Sequence, residues 1–288
     1  QGSLAQGDQA TMQPSDQDGQ AHHQDDDADD ALPWYGDGAS YWDPRYVSTA
    51  GSEFDWLEPY ERIRDLLLCC LPREVKQDPD ILHVGCGNSR LPQLMHADGF
   101  KHIVNIDISE VVISQMASRH AASETMEWLV MDATDMAGFV DERFDLVLDK
   151  GMFDTLAAAK DSFLKDRREE ALLLVVRYLE EVCRVLRPGG VFVCVSHSPP
   201  RAREPFFALP CVGFEVRAEE LRLQSSCAGG EASDLEALDG VDDPNFIYIC
   251  TRTPDARASL ACWPAVQQQL APSRLSCEPG QDTIPPPR

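Results

Sequence analysis

The sequence lacks any long apolar run. Of its 288 residues, 43% are hydrophobic, but runs such as ALLLVV (171–176) end at a charged residue after six positions. A membrane-spanning helix needs roughly 18 or more apolar residues, so none is expected. The start of the chain also lacks the basic stretch and apolar run of a signal peptide. We therefore expect a chain that does not span a membrane, with one large domain or two small ones.

Cysteines with the spacing of metal ligands or redox motifs are absent as well. The ten cysteines are scattered, and no CxxC pair occurs. Several of them lie inside apolar segments, where a free thiol behaves as a small hydrophobic group. These features predict a reduced, cytoplasmic chain without a structural zinc site, with disulfide pairing as the alternative.

Positive charge is scarce, since 25 Lys and Arg stand against 49 Asp and Glu, for a formal net charge of −24. Residues 1–40 contain nine Asp and no Lys or Arg, and residues 228–243 contain six acids and no base. Such a surface repels nucleic-acid phosphates but attracts basic proteins. The simplest interpretation of 1–40 is an acidic, disordered tail. A Pro-rich disordered tail is expected over 253–288.

Between these tails, over residues 41–252, short apolar segments alternate with segments of helical periodicity. Buried strands are predicted at 80–84, 102–107, 126–131, 144–149 and 191–196. Helices are predicted after Pro59, after a capping Ser109, and over 168–187, where Pro-Gly-Gly stops the helix. Two later β-like runs, 213–223 and 245–252, predict a terminal antiparallel hairpin. This order predicts an α/β fold with a doubly wound, mostly parallel sheet.

The segment GCGNS (85–89) directly follows the first predicted strand. Gly85 and Gly87 have no Cβ atom, so the chain can turn sharply and a ligand can lie against the backbone. Asp107 ends the second strand, where its carboxylate can accept both hydroxyls of a ribose. Together these features predict a nucleoside site at the carboxyl ends of the strands. A dinucleotide site is the alternative, but its fingerprint has a third glycine where this chain has Arg90.

Polar residues also follow the third and fourth strands. Asp132 can accept from the exocyclic amine of an adenine while the Ala133 amide donates to a ring nitrogen. A helix N-cap at Asp132 or Thr134 is the alternative. Asp149 and Lys150 end the fourth strand, where a charged pair is costly to bury unless it is used or paired. A simple surface ion pair is the alternative there.

These motifs in combination resemble a known enzyme family. Similarity to class I S-adenosylmethionine-dependent methyltransferases is carried by GCGNS, Asp107, Met-Asp (131–132) and LRPGG (186–190). Similarity to the methyltransferase-like family that includes lysine methyltransferases of elongation factor 1A is carried by YWDPRY (41–46), FDW (54–56) and DKGMFDTL (149–156). The resemblance runs from about residue 41 to 252. It implies a Rossmann-like methyltransferase domain with a seven-stranded sheet.

The resemblance also implies a cofactor, S-adenosylmethionine, and no metal. The residues it implies for cofactor binding are Trp42, Tyr46, Trp56, Gly85, Gly87, Asp107, Ile108, Asp132, Ala133 and Lys150. Aromatic faces attract a sulfonium cation, although ordinary packing is the alternative for the tryptophans. Asp149 is expected to act in catalysis by orienting the acceptor amine. The implied partner is a protein substrate such as elongation factor 1A, methylated on lysine.

Two substitutions and three alternatives limit this interpretation. Met152 and Phe153 replace the Thr and Leu of the family motif, near the expected acceptor entrance. A small-molecule methyltransferase would have the same cofactor site. An aminopropyltransferase, or a non-catalytic nucleoside-binding scaffold with partner-recruiting tails, is a further alternative. His83 is predicted to be a buried, hydrogen-bonded histidine rather than a base.

Overall fold

The computed structural model describes residues 37–71, 78–158, 165–209, 212–221 and 244–254. The predictions for the acidic tail up to residue 36, for the acidic loop 228–243 and for the chain beyond residue 254 lie outside the described residues. Within the described ranges, no helix is long and apolar enough to cross a membrane.

Seven strands form one sheet in the order β3-β2-β1-β4-β5-β7-β6. The strands are β1 (Asp80–Val84), β2 (His102–Asp107), β3 (Met126–Val130), β4 (Phe144–Lys150), β5 (Leu186–Ser196), β6 (Phe214–Leu221) and β7 (Asn245–Arg252). The first five pair in parallel, while β7 pairs antiparallel with both β5 and β6. The predicted α/β fold with its terminal hairpin is therefore confirmed.

Seven helices are found in the described residues. They are α1 (Ala39–Ser48), α2 (Tyr60–Cys70), α3 (Leu91–Ala97), α4 (Glu110–Arg119), α5 (Met152–Ala157), α6 (Lys165–Val185) and α7 (Pro200–Phe207). Ser109 caps α4 as predicted, because its side chain accepts from the Val112 amide. Helices α1, α5 and α7 were not predicted. Both α1 and α7 contain an internal proline, Pro44 or Pro205, which ordinarily argues against a helix.

The boundary between α6 and β5 differs from its prediction. The helix ends at Val185, and Leu186 already pairs with Phe144 at the start of β5. The register shifts between Phe144 and Leu146, and Gly189 adopts φ +78°. The Pro-Gly-Gly segment therefore forms an irregular beginning of the strand rather than a loop before it.

The sheet is covered on both faces, and alternate side chains of β1 enter different cores. Leu82 and Val84 pack in a cluster that includes Val175 and Leu179 of α6. Ile81 packs in a second cluster with Ile63 of α2. A third, smaller cluster joins α1 to α4. This arrangement leaves the carboxyl ends of the parallel strands as the edge where a site can form.

Candidate active site

A cavity lies at the carboxyl ends of β1 to β4. Its wall includes residues of α1, of the segment 54–57, of the turns after the four strands, and of α5. All ten predicted cofactor-binding residues line this cavity: Trp42, Tyr46, Trp56, Gly85, Gly87, Asp107, Ile108, Asp132, Ala133 and Lys150. The fold thus brings together residues that are up to 108 positions apart in the sequence, from 42 to 150. Their roles in binding remain predictions.

The backbone conformation of the turn and the side chains packed against it both require glycine at positions 85 and 87. Gly85 and Gly87 adopt φ of +56° and +53°, a region that side chains disfavour. A Cβ atom at Gly85 would lie 2.6 Å from the Cβ of Met152, and one at Gly87 would lie 2.9 Å from the hydroxyl oxygen of Tyr46. The sequence suggested only that a ligand approaches this backbone. The structure adds that α5 and α1 approach it as well.

Asp107 is a buried carboxylate at the end of β2, with 7% of its surface exposed. It accepts hydrogen bonds from the amides of Gly87 at 2.9 Å and Ser109 at 3.0 Å. Burial raises its pKa to about 6, although the two amides oppose this shift. Among the described residues, no Lys or Arg forms an ion pair with it. A ligand hydroxyl that donates to Asp107 would therefore stabilise its ionised form.

The adenine-side residues follow β3. Asp132 accepts from the amide and the hydroxyl of Thr134, both at 2.8 Å. The alternative of a helix N-cap is not found, because the described residues between β3 and β4 form turns rather than a helix. Ala133 is buried while Asp132 is exposed, so the carboxylate keeps an open side toward solvent and the cavity.

Aromatic side chains from α1 and from the segment that follows it cover one side of the cavity. The rings of Trp42 and Tyr46 stack with centroids 5.9 Å apart, and Phe54 meets Trp56 edge to face at 5.1 Å. The guanidinium of Arg45 lies 5.8 Å from the Trp42 centroid and 5.5 Å from the Trp56 centroid. One cation of the protein itself therefore lies against both tryptophans.

Lys150 fastens the Trp56 segment to the end of β4. Its ammonium donates to the Trp56 carbonyl at 2.7 Å and to the Asp55 carboxylate at 3.1 Å. Burial lowers the pKa of Lys150, and Asp55 opposes this shift. Ser89, in the glycine turn, also donates to Asp55. The charged end of β4 is thus a buried, paired group rather than a surface ion pair.

Asp149 is not among the residues that line the cavity. Its side chain is fully buried and accepts from the Tyr178 hydroxyl at 2.7 Å and from the Met152 and Phe153 amides, both at 2.9 Å. Burial raises its pKa to about 7. These contacts hold the start of α5 against β4 and α6. They do not bring the carboxylate to the position where the sequence analysis expected it to meet an acceptor.

His83 lines the cavity as a buried residue, 1% exposed, with Nδ1 3.2 Å from the Asn105 amide oxygen. Burial lowers its pKa to about 4. This is the buried, hydrogen-bonded histidine that the sequence analysis predicted. A neutral imidazole with so low a pKa is a poor proton acceptor near neutral pH.

A further network surrounds Asp154, a cavity-lining residue of α5, and no sequence motif predicted it. Arg203 donates to its carboxylate at 3.0 and 3.1 Å, and His197 donates from its amide at 3.0 Å and contacts it through Nδ1 at 2.8 Å. Burial raises the pKa of Asp154, but Arg203 and His197 overcome this effect and hold it below its usual value. The motif containing Asp154 was recognised without a role. Nothing in the sequence around Arg203 indicated that it is 1% exposed and pairs with a residue 49 positions away.

Comparisons with known proteins agree with this geometry. A family model described as a methyltransferase domain matches residues 76–234. The eEF1A lysine and N-terminal methyltransferase of Bos taurus is 41% identical over 240 residues, which cover 82% of this chain and 32% of that protein. The Homo sapiens protein of the same name is 34% identical over 239 residues, with the same coverage. The EEF1A lysine methyltransferase 4 of Bos taurus is 34% identical over 179 residues, covering 62% of this chain and 68% of that protein. The chain thus spans about a third of the length of the first two relatives.

Among solved structures, the [4+2]-cyclase SpnF shares the fold with a TM-score of 0.50 and 16% sequence identity. The alignment covers 77% of this chain and 97% of that one. At this identity the likeness concerns the fold alone. Because that protein is named a cyclase, the fold does not by itself specify the reaction.

Proposed function

Because this chain belongs to the methyltransferase-domain family that includes the eEF1A lysine methyltransferases, we propose that it is an S-adenosylmethionine-dependent protein-lysine methyltransferase. The acceptor we propose is a lysine of elongation factor 1A. The relatives named above are named for this substrate. The acidic chain, with a net charge of −24, also suits a basic protein surface.

The observation that carries the proposal is the environment of Asp107. Two backbone amides, one of them from the glycine turn, bind the Asp107 carboxylate, and no cation of the described residues neutralises it. It lines a cavity together with Asp132 and the rings of α1. This donor and acceptor set fits adenosine, which offers ribose hydroxyls to one carboxylate and an exocyclic amine to the other. The residues present therefore fit the cofactor.

When bound, S-adenosylmethionine supplies a methyl group on a positively charged sulfur, so that the leaving group is a neutral thioether. Asp107 would accept from the ribose hydroxyls, and Asp132 and the Ala133 amide would bind the adenine edge. The rings of Trp42, Tyr46 and Trp56 would exclude water from the reacting end of the cavity. Methyl transfer needs the acceptor nitrogen held about 3–3.5 Å from the donor carbon, and alignment is the main task of these residues.

The acceptor lysine must lose a proton before its Nζ atom can act as a nucleophile. A dry, apolar wall lowers the pKa of an amine that enters it, so that the proton passes to solvent before transfer. Asp149 would contribute by positioning, since its carboxylate holds the Met152 and Phe153 amides. Met152 lines the cavity beside Gly85, and we propose that it shapes the acceptor entrance.

The proposal is tested by incubating the protein with S-adenosylmethionine carrying a labelled methyl group and purified elongation factor 1A. Mass spectrometry of the acceptor is expected to show mono-, di- or trimethylation on one lysine. The Asp107→Ala variant serves as the control with weakened cofactor binding. Label that accumulates only on small molecules of a metabolite panel would favour the alternative of a small-molecule methyltransferase. The absence of cofactor binding by the wild type would refute both.

A further inference from the structure

Met152 lies where α5 meets the glycine turn, and it borders the cavity. An added Cβ atom at Gly85 would lie 2.6 Å from both the Cβ and the Cγ atoms of Met152. The stem of this half-buried side chain therefore packs directly against the bare backbone of the turn. Met152 thus takes up space at the point where Gly85 is expected to approach the cofactor.

The backbone of Met152 is held in place by hydrogen bonds. Its amide donates to the Asp149 carboxylate at 2.9 Å, and its carbonyl accepts from the Thr155 hydroxyl at 2.8 Å. Asp149 in turn accepts from the Tyr178 hydroxyl at 2.7 Å. Met152 cannot withdraw from the cavity without breaking these bonds. Only rotation of its side chain can change the space beside Gly85, and the packing of the Cβ and Cγ atoms against the turn limits that rotation.

The segment on the other side of Met152 is anchored as well. An added Cβ atom at Gly151 would lie 3.7 Å from the Cβ atom of Trp56 and from the Cδ1 atom of Leu57. Trp56 and Leu57 also line the cavity, and the Lys150 ammonium binds the Trp56 carbonyl at 2.7 Å. The start of α5 thus lies between two fixed pieces of backbone. A larger ligand at this end of the cavity gains little room by displacing the wall.

We propose that Met152 limits the number of methyl groups that the acceptor lysine receives, so that the protein stops before trimethyllysine. This role rests on the proposed function and names the residue that sets its product. Before each transfer the lysine nitrogen loses a proton to solvent, and the bond from the methyl carbon to sulfur then breaks as the bond to nitrogen forms. Each round presents a larger nitrogen group to the same wall. Forcing an additional methyl group into a packed site is expected to slow the reaction by about tenfold or more.

Threonine stands at this position in the motif that the chain resembles. Its side chain is shorter than that of methionine, so Met152→Thr frees space in the cavity beside Gly85. Met152→Leu nearly keeps the volume of the side chain, and swaps of this kind are well tolerated in packed sites. The two variants therefore separate a change in size at position 152 from the mere replacement of methionine.

Rates on two acceptor peptides isolate the effect. The peptides carry the sequence around the elongation factor 1A lysine that mass spectrometry identifies, with that lysine either unmodified or dimethylated. Mass spectrometry of reactions with the full chain and S-adenosylmethionine measures both rates. For the wild type and Met152→Leu we expect the dimethylated peptide to react about tenfold or more slowly than the unmodified one. For Met152→Thr we expect most of this difference to disappear. The ratio of the two rates does not depend on the folded fraction of a variant, because both peptides meet the same preparation.

Met131→Thr is the matched control, because Met131 also lines the cavity but directly follows β3. An added Cβ atom at Gly138 would lie 3.1 Å from the Cε atom of Met131, so the end of this side chain lies near Gly138 rather than against Gly85. The same substitution at this position is expected to leave the ratio of the two rates at its wild-type value.

A binding measurement separates the fit of the acceptor from the chemical step. Isothermal titration calorimetry in the presence of S-adenosylhomocysteine measures the affinity of the full chain for both peptides. We expect the wild type to bind the dimethylated peptide about tenfold more weakly than the unmodified one. Met152→Thr is expected to bind the two peptides alike.

Equal rates of the wild type on both peptides, or an unchanged ratio in Met152→Thr, would overturn this role of Met152. A shift of the same size in Met131→Thr would overturn it too, because the effect would then not depend on the position of the side chain. If Met152→Thr is inactive on both peptides, the ratio measured for Met152→Ala decides. Inactivity of both variants beside an active Met152→Leu would show that Met152 holds the reacting geometry and does not set the product. If the wild type transfers no methyl group to elongation factor 1A, the proposed function itself fails, and the role of Met152 with it.

Discussion

Two buried carboxylates line the same cavity, but they differ in their hydrogen-bond partners and in the direction of their pKa shifts. Asp107, at the end of β2, is bound by two amides, and its pKa is raised to about 6 by burial. Asp154, in α5, is paired with Arg203 and His197, which hold its pKa below the usual value. At the β4–β5 end of the cavity, the buried carboxylate is paired with cations of the protein. At the β1–β2 end, the buried carboxylate has no such cation among the described residues and is available to a ligand.

This difference separates positions that stabilise the fold from positions that bind. Substitution of one member of a buried ion pair leaves the charge of the other member buried without a partner, and this lowers stability. Substitution of a carboxylate that is buried without a cation removes a desolvation penalty, so its loss harms binding more than folding. We therefore expect substitutions at the Asp154 end of the cavity to lower stability and substitutions at the Asp107 end to weaken ligand binding.

The largest effect is expected for Arg203→Met. It leaves the Asp154 charge buried without its main partner, and we expect the free energy of unfolding to fall by about 3–5 kcal/mol. Denaturant unfolding monitored by circular dichroism measures this change. Adding Asp154→Asn should recover part of the loss, because no buried charge then remains. Arg217→Met is the control, since it removes an exposed ion pair with Glu219 that contributes about 1 kcal/mol at most.

The next effect is expected for Asp107→Ala. We expect an affinity for S-adenosylhomocysteine lower by about 100-fold, or about 3 kcal/mol, because charge-assisted bonds to the ribose are lost. The midpoint of thermal unfolding without ligand should not fall correspondingly, since the penalty of the buried charge is also removed. Asp65→Ala on the exposed side of α2 is the control. A large loss of stability with unchanged affinity would reverse the roles assigned to the two carboxylates.

A smaller effect is expected from pH. Hydroxyl groups that donate to Asp107 favour its ionised form, so bound ligand lowers its pKa from about 6, and affinity must rise as the pH rises through that value. Between pH 5 and pH 8 we expect a gain of about tenfold. Calorimetry of wild type and Asp107→Asn at both pH values measures it. Asp149, with a pKa of about 7, titrates in both proteins, so only a gain missing from Asp107→Asn supports the account.

Ionisation of Asp107 also affects stability. Raising the pH is expected to lower stability, whereas it raises the affinity for the ligand. The folded-state pKa of Asp107 is raised, so its burial lowers stability above about pH 6 and has no effect below about pH 4, where both states are protonated. Without ligand, Asp107→Asn should therefore unfold at a higher temperature than wild type at pH 7. The two proteins should differ less at pH 4. Equal differences at both pH values would show that Asp107 does not titrate in this way.

The last effect concerns the backbone of the glycine turn. Gly87→Ala is expected to cost about 1–2 kcal/mol of stability for the left-handed conformation, plus a further amount because its Cβ would lie 2.9 Å from the Tyr46 hydroxyl oxygen. In a Tyr46→Phe background the further amount should disappear. Gly99→Ala is the matched control, because Gly99 has φ +103° and nothing within 4 Å of an added Cβ. Equal costs at both glycines would show that α1 does not restrict the turn.

The sequence was most informative where local pattern and global fold agree. β1 and β2 were predicted to the residue, because each is a short apolar segment with a clear polar or glycine boundary. Asp107 was found because the ends of neighbouring parallel strands meet at one edge, whatever the connection between them. Helices α1 and α7 were missed because Pro44 and Pro205 lie inside them, and packing of their apolar side chains outweighs the local preference.

The remaining parts of the site depend on contacts between distant segments, which no local pattern encodes. The burial of Arg203 against Asp154 and the stacking of Arg45 on Trp56 each require the tertiary fold. For Asp149, by contrast, the local sequence suggested a position that the fold does not give it. Its position beside Lys150 suggested a group at the cavity, but consecutive residues of a strand face opposite sides of the sheet. Lys150 accordingly lines the cavity, while Asp149 points toward α6 and bonds to Tyr178.

The most direct test of the account is a crystal structure of the chain with S-adenosylhomocysteine. We expect both ribose hydroxyls within hydrogen-bond distance of the Asp107 carboxylate and the adenine beside Asp132 and Ala133. A ligand bound elsewhere, or a ribose out of reach of Asp107, would contradict it.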